Sequence, residues 1–256
     1  MIVGSLRKMT VKAHAKINWT LEVLGMRPDG YHDLRSIVLP VALHDVVTVV
    51  EAADLSCETV GLDVLQEKNL AYRAALALKD ATGCECGAHI TIEKRIPSGA
   101  GLGGGSSDAA AVLNALNVMW ELRLTCAQLC EIAAKVGSDI PALVMGGPVL
   151  MEGRGERVRR IDADLLRELG FDALPPPESI EVFCPEIFSS TPAVYREFRE
   201  TDRGKGPNDL QPAALRLYPR IADALRLFES KGLKRVTMSG SGSAVYGVAQ
   251  CFSERS

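Results

Sequence analysis

The chain has 256 residues; a prior of one domain per roughly 150 residues gives one large domain or two modest ones, and the length is enough to bury a sizeable core. Its 29 basic and 32 acidic residues give a net charge of −3, a balance that argues against a dedicated nucleic-acid binder and a disordered acidic tail. No run of about eighteen apolar residues reads as a membrane span, and Met1–Lys8 lacks the apolar stretch of a secretory signal, so a cytoplasmic chain is expected. The seven cysteines (Cys57, Cys84, Cys86, Cys126, Cys130, Cys184 and Cys251) are odd in number and scattered, which fits free thiols in a reducing compartment. In chain order, residues 11–24 read as a strand and Arg27-Pro28-Asp29-Gly30 as a turn. Residues 37–50 carry two apolar runs either side of His44-Asp45, which predicts a pair of strands. Good helix formers at helical spacing predict a helix over 69–79, ended nearby by Gly83. Residues 88–94 alternate as a strand does and run into a glycine loop at 99–105, then a helix over about 106–121. Thr125 is placed to cap the next helix and Gly137 to stop it; 148–153 is a short strand. The Arg-rich, then Pro-rich, stretch 153–179 reads as a passage between two halves. A strand over 179–183, a helix over 191–200, one or two helices within 212–231, and strands over 235–238 and 244–248 around a second glycine loop complete the chain.

The strongest local signal is Pro97-Ser98-Gly99-Ala100-Gly101-Leu102-Gly103-Gly104-Gly105-Ser106-Ser107. A loop this rich in glycine gives up side chains so that backbone N–H groups converge on an anion, and the following helix turns its positive end the same way. A Walker loop is excluded because no lysine precedes Ser106. Gly99, Gly101 and Gly104 match G-x-G-x-x-G, yet no acidic residue ends a second strand about twenty positions later, since Glu121 falls in or just after a helix. A plain glycine turn before a Ser-capped helix is the competing reading.

Other residues carry two readings each. Asp139 is a carboxylate suited to accept a hydroxyl proton, or an N-cap for a helix starting near Pro141. Lys16 sits among apolar strand residues, so it has a charge partner or reaches solvent; Asn18 shares its strand face. Asp108 reads as a first-turn acid favoured by the helix dipole. Cys84, Cys86 and His89 lack a fourth local metal ligand, and Cys126 and Cys130, one turn apart, read as core thiols. The four arginines between Arg154 and Arg160 form a solvated basic face or attract phosphate.

Three separated segments agree: Ala15-Lys16-Ile17-Asn18, the glycine loop, and Met238-Ser239-Gly240-Ser241-Gly242-Ser243. This layout resembles the GHMP small-molecule kinases. Arg27-Pro28-Asp29-Gly30-Tyr31-His32, Lys94-Arg95-Ile96-Pro97, Gly137-Ser138-Asp139-Ile140-Pro141 and Asn208-Asp209-Leu210-Gln211-Pro212 are similar to the branch acting on 4-diphosphocytidyl-2-C-methyl-D-erythritol in non-mevalonate isoprenoid (terpenoid) biosynthesis. The resemblance spans about residues 11–248. It implies an α+β fold of two domains, a ribosomal-S5-like N-terminal half (1–153) and a ferredoxin-like C-terminal half (154–256). It implies ATP-dependent phosphorylation of the 2-hydroxyl of that alcohol, with magnesium. By the same resemblance Lys16 and Asp139 are catalytic and lie beside each other. Lys94, Pro97, Gly99, Ala100, Gly101, Leu102, Gly103, Gly104, Gly105, Ser106, Ser107 and Asn69 bind ATP, and Ser106 is the candidate to reach magnesium. Lys94 as a solvated strand lysine and Asn69 as an ordinary N-cap remain open. Asn18, Tyr31, His32, Thr191, Tyr195, Gly240 and Ser241 bind the acceptor: Tyr31 stacks on cytosine, His32 reads the base edge, and Tyr195 closes the other face. The partners implied are small molecules, with no nucleic acid and no membrane, in a monomer or homodimer. Competing readings are another GHMP kinase, acting on homoserine, mevalonate or a sugar, and a nucleotide-binding module without turnover. The family pattern continues past the last strand with a helix and a strand, whereas this chain stops at Cys251-Phe252-Ser253-Glu254-Arg255-Ser256, so a shortened second half is expected.

Overall fold

The structure, a computed structural model, describes residues 6–61 and 64–249. Cys251 and the expected shortening of the end lie outside the described residues. In chain order the strands and helices are β1 (Lys8–Asn18), β2 (Glu22–Met26), β3 (His32–Ala52), β4 (Leu55–Thr59), α1 (Leu70–Thr82), β5 (Gly87–Glu93), α2 (Gly104–Met119), α3 (Cys126–Val136) and α4 (Ile140–Met145). They continue with β6 (Val149–Gly153), β7 (Arg157–Arg160), α5 (Ala163–Glu168), β8 (Ile180–Phe183), α6 (Thr191–Glu197), α7 (Gln211–Leu217), α8 (Ile221–Ser230), β9 (Lys234–Met238) and β10 (Val245–Val248). The chain divides into two units interleaved in sequence: 1–15, 43–96 and 104–146 form the first, and 16–42, 97–103 and 147–256 the second. β1 and β3 each pass from one unit into the other.

In the first unit β5 runs antiparallel to the later part of β3, from Val46↔Glu93 to Ala52↔Gly87, and parallel to β4. Alternation in β5 turns Ala88, Ile90 and Ile92 inward, against Ala71, Ala74, Ala75 and Leu78 of α1 and Ala109, Val112, Leu113 and Leu116 of α2. The alanines keep the two helices thin where they meet the sheet, so close packing replaces bulk. Asn69 Oδ1 accepts from Ala71 N to cap α1, and Gly83, with φ +67°, ends it. Thr125 and Gln128 form a reciprocal capping box on α3.

In the second unit the early part of β3 pairs antiparallel with β2 and with β6, from Leu34↔Gly153 to Val38↔Val149; β7 folds back on β6. A separate antiparallel sheet has the order β8-β10-β9. α6, α7 and α8 bury Val194, Ala213, Ala214, Ile221, Leu225 and Phe228 with Met238 and Val245 of that sheet. The fold is α+β, as expected.

Several elements depart from the sequence reading. The strand over 11–24 is two strands, broken after Asn18. The expected break at His44-Asp45 does not occur: β3 is continuous, because the Asp45 carboxylate receives backbone N–H bonds from Arg95 and Ile96 instead of turning the chain. α2 begins at Gly104, two residues before the expected start. A Cβ at Gly104 would lie 3.0 Å from Ile96 Cγ2 and 3.2 Å from Lys94 Nζ, so close packing overrides glycine's poor helix propensity. Asp108 therefore stands past the first turn and is buried, and its reading as a first-turn acid favoured by the helix dipole is corrected. The passage 153–179 contains β7 and α5, and α6 ends at Glu197 rather than 200. Among the described residues no helix is long and apolar enough to cross a membrane, and all six described cysteines are free.

Candidate active site

The segment 97–103 belongs to the second unit. Gly99, Gly101 and Gly103 have φ of +67°, +76° and +69°, the left-handed region where a side chain is strained. Three successive carbonyls of the loop are bonded to the protein. Ala100 O accepts from Ala244 N at 3.0 Å, Gly101 O from Ser239 Oγ at 3.0 Å, and Leu102 O from Lys16 N at 3.0 Å. A Cβ on Gly101 would lie 2.3 Å from Ser239 O. Ser98 and Gly99 form a turn closed by Ala100 N on Pro97 O, and the N–H groups of Gly99, Gly101, Leu102 and Gly103 have no acceptor among the described residues. A loop with these carbonyls bonded to the protein and these donors left over can hold an anion.

Lys16 is 5% exposed, which removes the reading of a lysine reaching solvent. Its Nζ donates to Asn18 Oδ1 at 2.6 Å, and Asn18 Nδ2 donates to Ser36 Oγ at 2.8 Å. The strand period of two put both side chains on one face, and Ser36 fixes which way the amide points. In the second glycine loop Gly240 has φ +56°, and a Cβ there would lie 3.3 Å from Asn18 Oδ1. Thr191 Oγ1 and Ser241 Oγ are 2.7 Å apart, so two expected acceptor-binding residues meet.

Among the aromatics, the ring stacked on Tyr195 is that of His32, with centroids 5.2 Å apart and planes inclined by 27°. Phe198 meets His32 edge-on at 6.1 Å. Tyr31 is half exposed, and its own partner is Arg154, whose guanidinium carbon lies 3.8 Å from the ring centroid.

The first unit carries the remaining expected residues. Lys94 is not a solvated strand lysine: Nζ bonds Asp45 and, at 2.7 Å, Asp108 Oδ2. Burial is the main cause that pushes the Asp108 carboxyl up to about 7, with Lys94 opposing it. The same burial, with the Asp108 charge added, pushes the Cys57 thiol up to about 12. Asn69 both caps α1 and donates Nδ2 to Thr59 Oγ1 at 3.1 Å. Gly104, Gly105 and Ser106 open α2, and the Ser107 hydroxyl donates to His14 O, so it is tied to β1. Asp139 precedes α4 with helical φ and ψ of −83° and −14° and makes no side-chain cap bond, so the capping reading fails.

Sequence reading missed the residues that shape the second glycine loop. Asn208 Nδ2 donates to Met238 O and Gly240 O at 2.8 and 2.9 Å, and Gln211 Oε1 accepts from Met238 N and Thr237 Oγ1, each at 2.8 Å. The motif Asn208-Asp209-Leu210-Gln211-Pro212 held the signal, but nothing local tells which distant backbone it serves.

The chain is similar to known proteins over most of its length. Residues 69–147 match the GHMP kinases N terminal domain and residues 191–254 the GHMP kinases C terminal family. The 4-diphosphocytidyl-2-C-methyl-D-erythritol kinase of Symbiobacterium thermophilum is 38% identical, covering 94% of this chain and 90% of the relative. That of Acidovorax ebreus is 41% identical, covering 92% and 86%. A crystal structure of 4-(cytidine 5'-diphospho)-2C-methyl-D-erythritol kinase superposes with a TM-score of 0.79 at 36% identity, covering 94% of this chain and 90% of that one. Homoserine kinase from Cytophaga hutchinsonii, at 16% identity and a TM-score of 0.68 over 98% of this chain and 88% of that one, shares the fold. The chain belongs to the 4-diphosphocytidyl-2-C-methyl-D-erythritol kinase family of the GHMP kinases.

Proposed function

We propose that this chain transfers the γ-phosphoryl group of ATP to the 2-hydroxyl of 4-diphosphocytidyl-2-C-methyl-D-erythritol, a step of non-mevalonate isoprenoid biosynthesis. Family membership supports the kinase reading over a module without turnover or a kinase of another alcohol. The observation that carries it is the cradle of unspent N–H groups over 99–103, which suits a phosphate chain.

Asp139 is the proposed base. It takes the proton of the acceptor hydroxyl as that oxygen bonds to the γ-phosphorus, the bond to the β–γ bridging oxygen breaks, and ADP leaves. Lys16, oriented by Asn18, steadies the negative charge at the attacking oxygen. Tyr31, His32 and Tyr195 hold the cytidyl group, with Thr191, Gly240 and Ser241 on the acceptor. Lys94 and Asn69 are the further proposed nucleotide-binding residues.

The donor set fits a magnesium ion carried by the triphosphate. Among the described residues no three His, Cys, Asp or Glu side chains gather as a ligand set, and Ser106 in the first turn of α2 supplies a hydroxyl. Bound there, the ion would neutralise phosphate charge. Residues 1–153 and 154–256 are the proposed extents of the two family domains, and the proposed setting is cytoplasmic.

The test is ADP release with a panel of acceptor alcohols. Release dependent on the cytidyl substrate is expected; release with homoserine or mevalonate instead, or none with any alcohol, overturns the reading. Asp139→Asn should abolish turnover while sparing nucleotide binding, and near-normal turnover would remove the base role.

A further inference from the structure

The turn joining β6 to β7 places one arginine apart from its neighbours. Arg157 and Arg159 are exposed, whereas Arg154 is half-buried and its Nε has no hydrogen-bond partner among the described residues. The turn is tightly determined. Gly153 and Gly155 have φ of +74° and +119°, Gly155 N donates to Glu152 O at 3.2 Å, and Arg154 N donates to Glu156 Oε2 at 2.6 Å. Because β6 pairs with β3 at Leu34↔Gly153, this turn lies beside the point where Tyr31-His32 enters β3. The guanidinium stacks 3.8 Å from the Tyr31 ring centroid, and its carboxylate neighbour Asp29 is 3.9 Å away. Asp29 in turn accepts from Tyr31 N at 3.1 Å, fixing the backbone under the ring.

We infer that Arg154 is a specificity-determining positioning residue for the cytidyl acceptor: it backs one face of Tyr31 and leaves the opposite face as the platform for the base. A half-exposed phenol ring turns freely about its side-chain bonds unless something holds it, and a stacked guanidinium holds it by a planar cation–π contact. The neighbouring arginines form a solvated basic face; Arg154 does not. The inference rests on the proposed reading of Tyr31 as the base-stacking residue.

The experiment is steady-state kinetics with each substrate varied in turn, on Arg154→Ala, Arg154→Lys, Tyr31→Ala and the Tyr31→Ala/Arg154→Ala double variant. Arg154→Ala is expected to raise the acceptor KM about tenfold while the ATP KM and kcat stay within about twofold. Arg154→Lys should behave like Ala, because a point charge does not replace a planar stack. In the Tyr31→Ala background the arginine substitution should add less than about twofold, since there is no ring left to hold. Wild-type behaviour of Arg154→Lys, full additivity, or an unchanged acceptor KM in Arg154→Ala while Tyr31→Ala raises it, would overturn the positioning role alone. An unchanged acceptor KM in Tyr31→Ala would overturn the stacking reading beneath it.

Discussion

Lys94 Nζ lies 2.7 Å from Asp108 Oδ2 and also bonds Asp45, so one half-buried ammonium is shared by two buried carboxylates. Two acids and one cation cannot all be satisfied away from water. The strain falls on Asp108, whose Oδ1 has no partner among the described residues and whose carboxyl is pushed up to about 7. Its folded pKa stands above the unfolded value, so its contribution is full below about pH 4 and is lost as pH rises through 7. Asp108→Asn removes that dependence. The stability difference between variant and wild type should move in favour of the variant by about 1 kcal/mol between pH 6 and pH 8, read by urea unfolding. Parallel stabilities across that range would show that Asp108 does not titrate there.

Asp45 holds the other end of the same cluster and has a different fate. Its side chain is fully buried and accepts from Arg95 N, Ile96 N and Lys94. Asp45→Ala leaves two amide donors unmet and Lys94 with one partner, and should cost about 3–5 kcal/mol, the range for breaking a buried ion pair. A urea midpoint close to wild type would contradict this.

The contrast between these two acids shows what was legible in the sequence. Asn69, Gly83, Thr125, and the shared face of Lys16 and Asn18 were readable because their partners lie within a turn or a strand step. Asp45 looked like a strand break and Asp108 like a first-turn acid serving the helix dipole, because what decides them is fifty and fourteen residues away in the chain. Arg154 likewise looked like one of four surface arginines until the β3–β6 register set it against Tyr31. The glycine loop lay between these cases. Its composition suits an anion cradle, but the bonding of the Ala100, Gly101 and Leu102 carbonyls depends on Ala244, Ser239 and Lys16, far away in the chain.

The second glycine loop depends on an amide rather than a carboxylate. Asn208 is 2% exposed and donates through Nδ2 to two carbonyls, Met238 O and Gly240 O. Asn208→Asp keeps the shape but points a carboxylate at two acceptors. It should destabilise by about 2–4 kcal/mol, at least as much as Asn208→Ala, by loss of both bonds and by burial of an unpaired charge. Thermal melts of the two variants compare them directly, and a benign Asp variant would mean the amide is not the donor.

Gly101 tests the cradle itself. A side chain there meets both a left-handed φ of +76° and Ser239 O at 2.3 Å. Gly101→Ala therefore forces the loop away from the second glycine segment and should raise the ATP KM by about tenfold or more. Gly30→Ala, with φ +80° but no neighbour within 4 Å, should cost stability without that effect. Equal ATP kinetics for the two variants would remove the cradle from nucleotide binding.

Tyr195 is the last test, because its ring has a neighbour other than the one expected for it. It stacks on His32 at 5.2 Å, and His32 is in turn met edge-on by Phe198. The imidazole is thus held between two aromatic rings and can present a fixed edge to a base. Tyr195→Ala takes away one wall and frees His32 to rotate. It should raise the acceptor KM about tenfold, in keeping with an aromatic contact of about 1–3 kcal/mol per base, and leave the ATP KM within about twofold. Loss of the hydrogen-bonding edge predicts a second signature: Tyr195→Ala should discriminate less well between cytidyl and uridyl forms of the acceptor, because stacking tolerates either base whereas an oriented edge does not. An equal rise in both KM values, or unchanged discrimination alongside a raised acceptor KM, would detach Tyr195 from the orientation of His32.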